Sequence, residues 1–583
     1  MEQTPATNPL VSPDSCRAWL LTLPSADPLA VVNAIASALE DLPDRGGLHA
    51  LKVLEALRAP VLQTLESLST RYVDKLVPLM SQQTLALSAA VALTHQLADA
   101  CAAGFAASAA DNGDYGRLAA LLYQRAIFWT VHGMVELLRA RQRVPDELWN
   151  IAQNVLVTAG RAGQLDRQVR DSIHPEAQTS VASTYVRGLL MHLCGARSLA
   201  SREIDYARQL AHAFERKLSF AYRSTDDDGR DSGGIVPSDD EKTRVKTVRV
   251  GRLEHWLDVS TLSNSVGGRL SALNKGEMFD SPTLSPPGTA AALRPLLGKL
   301  YGAWCSRSNL RRFPRRHRAE TIFFAVEPEH MYGLLKRRPY EPPRAPKVYS
   351  HVEVANIFVD GSAAPFKDQM HTPESWRQVA VTLDCWQMLE ESATGLSMQR
   401  GVGAGTARVR RGQLAAIRHG AEGTAMIGEI RWAEQTGDGR LELGLEMLPG
   451  LARAGAARYA DANAITQSAG KSQSTAALIL DNFKRGVRVA STATSVPSGP
   501  SNPMGLATAL PSIDEDMLNK TGANATLRRY TDQATIMLPA GWAREGSVIE
   551  FIDGPAALKL RLRATASRHG EFERLYFEIV TGP

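Results

Sequence analysis

Apolar residues recur at helical spacing through roughly the first 220 positions and at alternating spacing from about 320 onward, so the chain changes texture midway. In "ADPLAVVNAIASALEDLP", Asp27 stands at an N-cap and Pro28 at the first helical position. Leu29, Val32, Ile35, Ala36 and Leu39 then form one face until Pro43. "GLHALKVLEALR" repeats the period up to Pro60, where a break is expected, and "PVLQTLESLSTRYVDKLV" resumes it. "YGRLAALLYQRAIFWTVHGMVELLRARQR" and "DELWNIAQNVLVTAG" continue the series. Residues 1–222 therefore predict an all-helical bundle or irregular solenoid, with no strict repeat.

"RSTDDDGRDSGGIVPSDDEK" interrupts the pattern with acidic, Gly- and Ser-rich sequence, so 223–306 is expected to be an acidic linker plus a mixed segment. "TRVKTVRVGRLEHWLDVSTL" offers short strands, and "TAAALRPLLGKLYGAWC" one more helix. Beyond it, "AETIFFAVE", "WRQVAVTLDCWQML", "RGQLAAIRH", "MIGEIRWAEQ" and "RLELGLEML" alternate between Gly-bearing turns, as strands of a small barrel do. The barrel is bounded at 307–450. A C-terminal β-rich region, 451–583, follows and contains the low-complexity connector "STATSVPSGPSNP".

Composition narrows the class. A hydrophobic share of 44% and a charged share of 22% are those of a globular protein. Net charge is +5 on 66 basic and 61 acidic residues, so basic character is local. Five scattered cysteines without a CxxC pair argue against a disulfide framework or zinc site. The N-terminus has no basic-then-apolar leader, and the Ala-rich window 85–110 carries His95, Gln96 and Asp99, so a packed helix is expected rather than a membrane span. The location expected is the cytoplasm.

Catalytic motifs fail one by one. "AGKS" (469–472) has Ile465 where a P-loop needs its first glycine, and "GVGAG" (401–405) lacks dinucleotide-fingerprint spacing, which leaves it a mobile barrel loop. No HExxH or GxSxG occurs. The expectation is a protein that is not an enzyme, with no cofactor and no metal.

The chemistry gathers instead around "LRRFPRRHR", within a run of six arginines in twelve residues from Arg307 to Arg318. Pro314 biases Phe313 out of the helical region, so the guanidiniums lie on an extended segment. Each can grip a phosphate through two parallel hydrogen bonds and stack on a base, which lysine cannot do. Arg311 and Arg315 are spaced RxxxR; Arg312 and Arg316 are the competing register. Downstream, "LEESATGLSM" sets Glu390, Ser392 and Gly395 as E-x-S-x-x-G between two strands, where short acceptors can bind a base edge or phosphate and Gly395 permits a tight turn.

RxxxR entering a strand, an x-x-S-x-x-G turn, "GEIRW" and "LGLEML", in that order, resemble the PilZ domain family over roughly 311–450. The resemblance implies a six-stranded antiparallel β-barrel that binds the bacterial second messenger cyclic di-GMP. The fold class is thus α+β multidomain: a helical N-terminal half, a PilZ-like barrel and a C-terminal β-rich segment. The ligand-binding residues implied are Arg311, Arg312, Arg315, Arg316, Glu390, Ser392 and Gly395. Glu390 departs from the family's Asp or Asn by one methylene, which carries its carboxylate past the base edge or toward the phosphates. The resemblance further implies a signalling adaptor for motility or biofilm regulation, whose helical half engages a protein partner. The alternative is a degenerate PilZ-like scaffold in type IV pilus or envelope machinery that binds no nucleotide. A third reading, nucleic-acid binding through the arginine run, lacks interleaved aromatics, since Phe313 stands alone.

Overall fold

Asp27 accepts the amide of Leu29 at 3.2 Å, and Pro28 opens the helix Pro28–Glu40. Val32, Ile35 and Leu39 turn inward as their spacing requires, and Val31 joins them. The computed structural model describes residues 8–42, 48–110, 116–173, 178–225, 232–233, 237–238, 245–276, 290–306, 313–343, 373–460, 474–481, 534–553, 556–569 and 571–580. They form two compact units. The first is Met1–Pro314 with Arg408–Arg411 and Trp432–Leu443; the second is Arg315–Ala407, Gly412–Arg431 and Gly444–Pro583.

The first unit is built on the helices Leu48–Ser69, Ser81–Ala110, Gly116–Arg139, Asp146–Arg161, Val181–Leu193 and Ser201–Phe214. Pro60 does not break the first of these, contrary to the sequence expectation. The buried face of Leu57, Val61, Leu65 and Leu68 runs straight past it, and that burial outweighs the one backbone hydrogen bond a proline removes. Ser81–Gly104 is long and apolar enough to cross a membrane, yet half of it is buried. Ala86, Ala90, Leu93, Leu97 and Cys101 lie in the core. A two-residue ladder, β1 (Val169–Arg170) with β2 (Gln178–Thr179), lies among the helices.

The core does not stop at residue 222. Strands β3 (Ser219–Ser224), β4 (Ser232–Gly233), β5 (Lys246–Val250) and β6 (Leu253–Asp258) form an antiparallel sheet in the order β4-β3-β6-β5. Leu253 and Leu257 of that sheet, Leu262 of helix Ser260–Asn274 and Trp304 of helix Ala290–Cys305 share the helices' hydrophobic core.

Further along the chain, β7 (Arg316–His317) leads into six strands: β8 (Thr321–Ala325), β9 (Asp384–Ser392), β10 (Gly395–Arg400), β11 (Leu414–His419), β12 (Ala425–Gln435) and β13 (Leu441–Met447). The sheet runs β10-β13-β12-β11-β8-β9, and a further β9–β10 pairing closes it, giving the six-stranded antiparallel barrel. Only part of "WRQVAVTLDCWQML" is strand. Pro373–Thr382 is a helix, because Trp376 and Val379, three residues apart, both face the core, against Phe323 and within the central cluster.

The C-terminal region is a second closed barrel of β14 (Leu451–Tyr459), β15 (Ser474–Asp481), β16 (Thr535–Pro539), β17 (Val548–Asp553), β18 (Ala556–His569) and β19 (Phe572–Ile579). Counting strands from one within each barrel, both follow the neighbour order 1-2-3-6-5-4, closed from 4 to 1. The chain therefore holds two barrels of one topology. Helix Pro328–Lys336 lies between them: Met331, Tyr332 and Leu334 share a core with Leu414 and Ile427 of the first barrel and Leu478 and Leu480 of the second. Buried Arg418 ties off that helix, donating to the Leu334 carbonyl from Nε (3.0 Å) and Nη2 (2.6 Å) and to the Gly423 carbonyl from Nη1 (2.7 Å).

Candidate functional site

Antiparallel pairing brings the two sequence motifs together. β7 lies against the end of β9, with Arg316 opposite Glu391 and His317 opposite Glu390. Continued by one residue, that register would set Arg315 across from Ser392. Because side chains alternate between faces, Arg315, His317, Glu390 and Ser392 share one face, and Arg316, Arg318 and Glu391 the other. Arg311 and Arg312 lie outside the described residues.

Charge is matched across the ladder. Arg315 Nη1 donates to Glu390 Oε2 at 2.6 Å, and His317 Nε2 lies 3.9 Å from Glu390 Oε1. Arg318 bridges Glu391 at 3.1 Å and Glu320 at 3.0 Å. Glu320 is held below the ordinary carboxylate range by its hydrogen bonds from Arg318 and His419. The Arg315–Glu390 pair is partly open to solvent, at 36% and 22% side-chain exposure, so an incoming ligand can reach it. Arg316 is exposed. The extra methylene of Glu390 thus carries its carboxylate onto an arginine of the first motif.

At the β9–β10 turn, Gly395 pairs with Ser392, whose hydroxyl donates to the Gly395 carbonyl at 3.0 Å. Gly395 serves here through close approach rather than through an unusual dihedral: a Cβ on it would stand 2.3 Å from the Leu445 carbonyl oxygen. Met447 N donates to the Thr394 carbonyl at 2.8 Å, so the turn is stitched to the end of β13. What the strands present is a row of guanidiniums, a turn hydroxyl and a carboxylate that neutralises one guanidinium.

Two residues that sequence reasoning passed over hold the barrel mouth. Buried Asp384 pairs with buried Arg400 and accepts the amides of Thr406 at 2.9 Å and Ala407 at 3.1 Å. "GVGAG" is therefore fastened at its C-terminal end rather than free along its length. Arg400 also lies 5.0 Å over Trp386. The sequence signal was faint: an Asp opening one strand and an Arg closing the next. "AGKS" lies outside the described residues. Among the described residues, no group of His, Cys, Asp and Glu is arranged to hold a metal ion.

Comparison with known proteins bears on the first unit. No curated protein matches the chain. Residues 14–225, under half of the chain, are similar to a family described as the N-terminal domain of the cyclic-di-GMP receptor FimW.

Proposed function

We propose that this protein is a cyclic di-GMP receptor of the PilZ type, with the ligand held at the β7–β9–β10 corner of the first barrel. The observation that carries the proposal is the antiparallel β7–β9 register, with Arg316 opposite Glu391 and His317 opposite Glu390, which brings the RxxxR segment beside the S-x-x-G turn. The similarity of residues 14–225 to a cyclic-di-GMP receptor family supports it independently. Arg315 shares its face with Ser392 and Arg316 does not, so Arg311 and Arg315 are the preferred clamp. The guanidiniums would take phosphates and stack on guanine, and the Ser392 hydroxyl would bind a phosphate or base edge.

In this reading the protein works by binding rather than by catalysis, without a resident cofactor, in the bacterial cytoplasm. Ligand would draw Arg315 away from Glu390 and favour one arrangement of the arginine segment, with the helical region as the surface that answers to a partner in motility or biofilm control. The shift can be no larger than the ligand's differential affinity for the two arrangements. One observation favours the alternative scaffold reading: Glu390 already occupies Arg315. Calorimetric titration of the full chain with cyclic di-GMP, GTP and cyclic di-AMP separates the two. Saturable binding of the first alone is expected; no heat with any of them would move the protein to the scaffold class.

A further inference from the structure

We propose that the helical unit contains a second ligand site, for a small organic carboxylate, in the cavity walled by Arg58, Phe128, His132 and Arg208. The proposal is independent of the barrel reading and survives if the barrel binds nothing.

The cavity measures about 250 Å³ and lies among the helices Leu48–Ser69, Gly116–Arg139, Val181–Leu193 and Ser201–Phe214. At ~30 Å³ per water it has the volume of about eight waters, room for a small acid and far too little for a cyclic dinucleotide. Arg58 on its wall is 1% exposed. Asp171 accepts from its Nη1 at 2.7 Å, Ser172 Oγ lies 2.9 Å from the same nitrogen, and the guanidinium carbon sits 4.3 Å from the centre of the Phe128 ring. Its Nε and Nη2 have no hydrogen-bond partner among the described residues.

Those two nitrogens form the side-on edge of the guanidinium, whose parallel N–H groups match the two oxygens of a carboxylate. Arg125, nearby in the same core, shows the edge in use: its Nε and Nη2 reach the two carboxylate oxygens of Glu55 at 2.5 and 3.2 Å. On Arg58 the same edge is buried and unmade, a costly state that a matching acceptor relieves. His132 adds a second polar group. Its Nε2 also has no hydrogen-bond partner among the described residues, and burial, aided by Arg208 and Arg139, pushes its pKa down to about 3, so the ring is neutral at physiological pH.

The neighbouring charges limit the ligand to a single negative charge. Arg187 is engaged by Glu215 at 2.7 Å and Glu66 by Arg139 at 2.9 Å. Asp171 already balances Arg58, so Arg208 is the surplus positive charge among the lining residues and balances one carboxylate, whereas a phosphate dianion would carry an unpaired charge into the interior. Phe128, Val131 and Leu62 supply an apolar wall for the body of the acid.

The test is calorimetry and thermal unfolding of the full chain with benzoate, phenylacetate, benzamide and inorganic phosphate. Saturable binding of at least one of the two acids is expected, at least tenfold tighter than benzamide or phosphate. Arg58→Lys retains a charge for Asp171 but loses the fork, and should weaken that acid at least tenfold. Leu62→Trp replaces a half-buried side chain, fills the cavity and should abolish binding while the protein still unfolds cooperatively. If Arg58→Lys fails to fold, Leu62→Trp alone decides. Absence of saturable binding by both acids would mean the cavity holds water only and would overturn the proposal. So would equal binding of benzamide or phosphate, or undiminished binding to the folded Leu62→Trp protein.

Discussion

Replacing Glu390 with Gln should tighten cyclic di-GMP binding, because it removes the anion that competes with a ligand phosphate for Arg315. Two unit charges 2.6 Å apart attract by about 1.6 kcal/mol at the dielectric of water. A partly exposed pair keeps at most about 1 kcal/mol of that after side-chain ordering and salt screening. Releasing Arg315 is therefore worth up to about fivefold in affinity. Calorimetry on wild type and Glu390→Gln, at low and at high salt, checks both the gain and its origin. Wild type alone must break an ion pair, so the ratio of the two affinities should shrink as salt rises. Arg315→Ala should cost about 1.5–3 kcal/mol, and adding Glu390→Gln to it should then change nothing. Equal affinity of wild type and Glu390→Gln would refute the competition argument. Weaker binding by Glu390→Gln would show that the carboxylate accepts from the guanine edge, the role suggested by its place in the motif.

Other perturbations test the frame around the site. Gly395→Ala drives a methyl group toward the Leu445 carbonyl and should cost at least about 1–3 kcal/mol, read as a lower melting temperature together with lost ligand binding. Arg418→Met strands the Leu334 and Gly423 carbonyls and should destabilise the second unit by about 3 kcal/mol in urea unfolding; Arg418→Lys should not rescue, since one ammonium cannot span both carbonyls. Burial alone would raise the Asp171 carboxyl, but Arg58 outweighs it and holds the pKa at about 2, against 3.8 for the free side chain. A folded-state pKa below the unfolded one gives stability that is complete above 3.8 and lost as pH falls through about 2. Chemical unfolding across that window should show about 2 kcal/mol of loss in wild type that Asp171→Asn lacks.

The legibility of the site followed the range of the interactions. The arginine segment and the S-x-x-G turn could be read because each is local: Pro314 extends the backbone, and Ser392 and Gly395 sit on one two-residue turn. That Arg315, not Arg316, lies on the face of Glu390 could not be read. It depends on the register between β7 and β9, which joins residues about 75 positions apart, and a slip of one residue would exchange the faces. Glu390 illustrates the same limit, since its partner is a guanidinium on another strand.

By itself the sequence determined the helical first half, through its 3.6-residue period and the Asp27–Pro28 cap, and the strand-rich second half, through its alternation. It also singled out the residues rich enough in donors to bind an anion. Tertiary structure decided that Pro60 stays inside a helix, that Trp376 lies on a helix rather than a strand, and that the last region closes into a barrel repeating the connectivity of the first. It decided, too, that Arg58 buries an unmade hydrogen-bonding edge beside a cavity. Periodicity and capping act within a few residues, where the chain's own covalent geometry sets the outcome. Barrel closure, register and the partner of a buried charge arise from contacts between residues far apart, and those are selected by which arrangement buries the apolar surface while leaving the fewest polar groups unpaired.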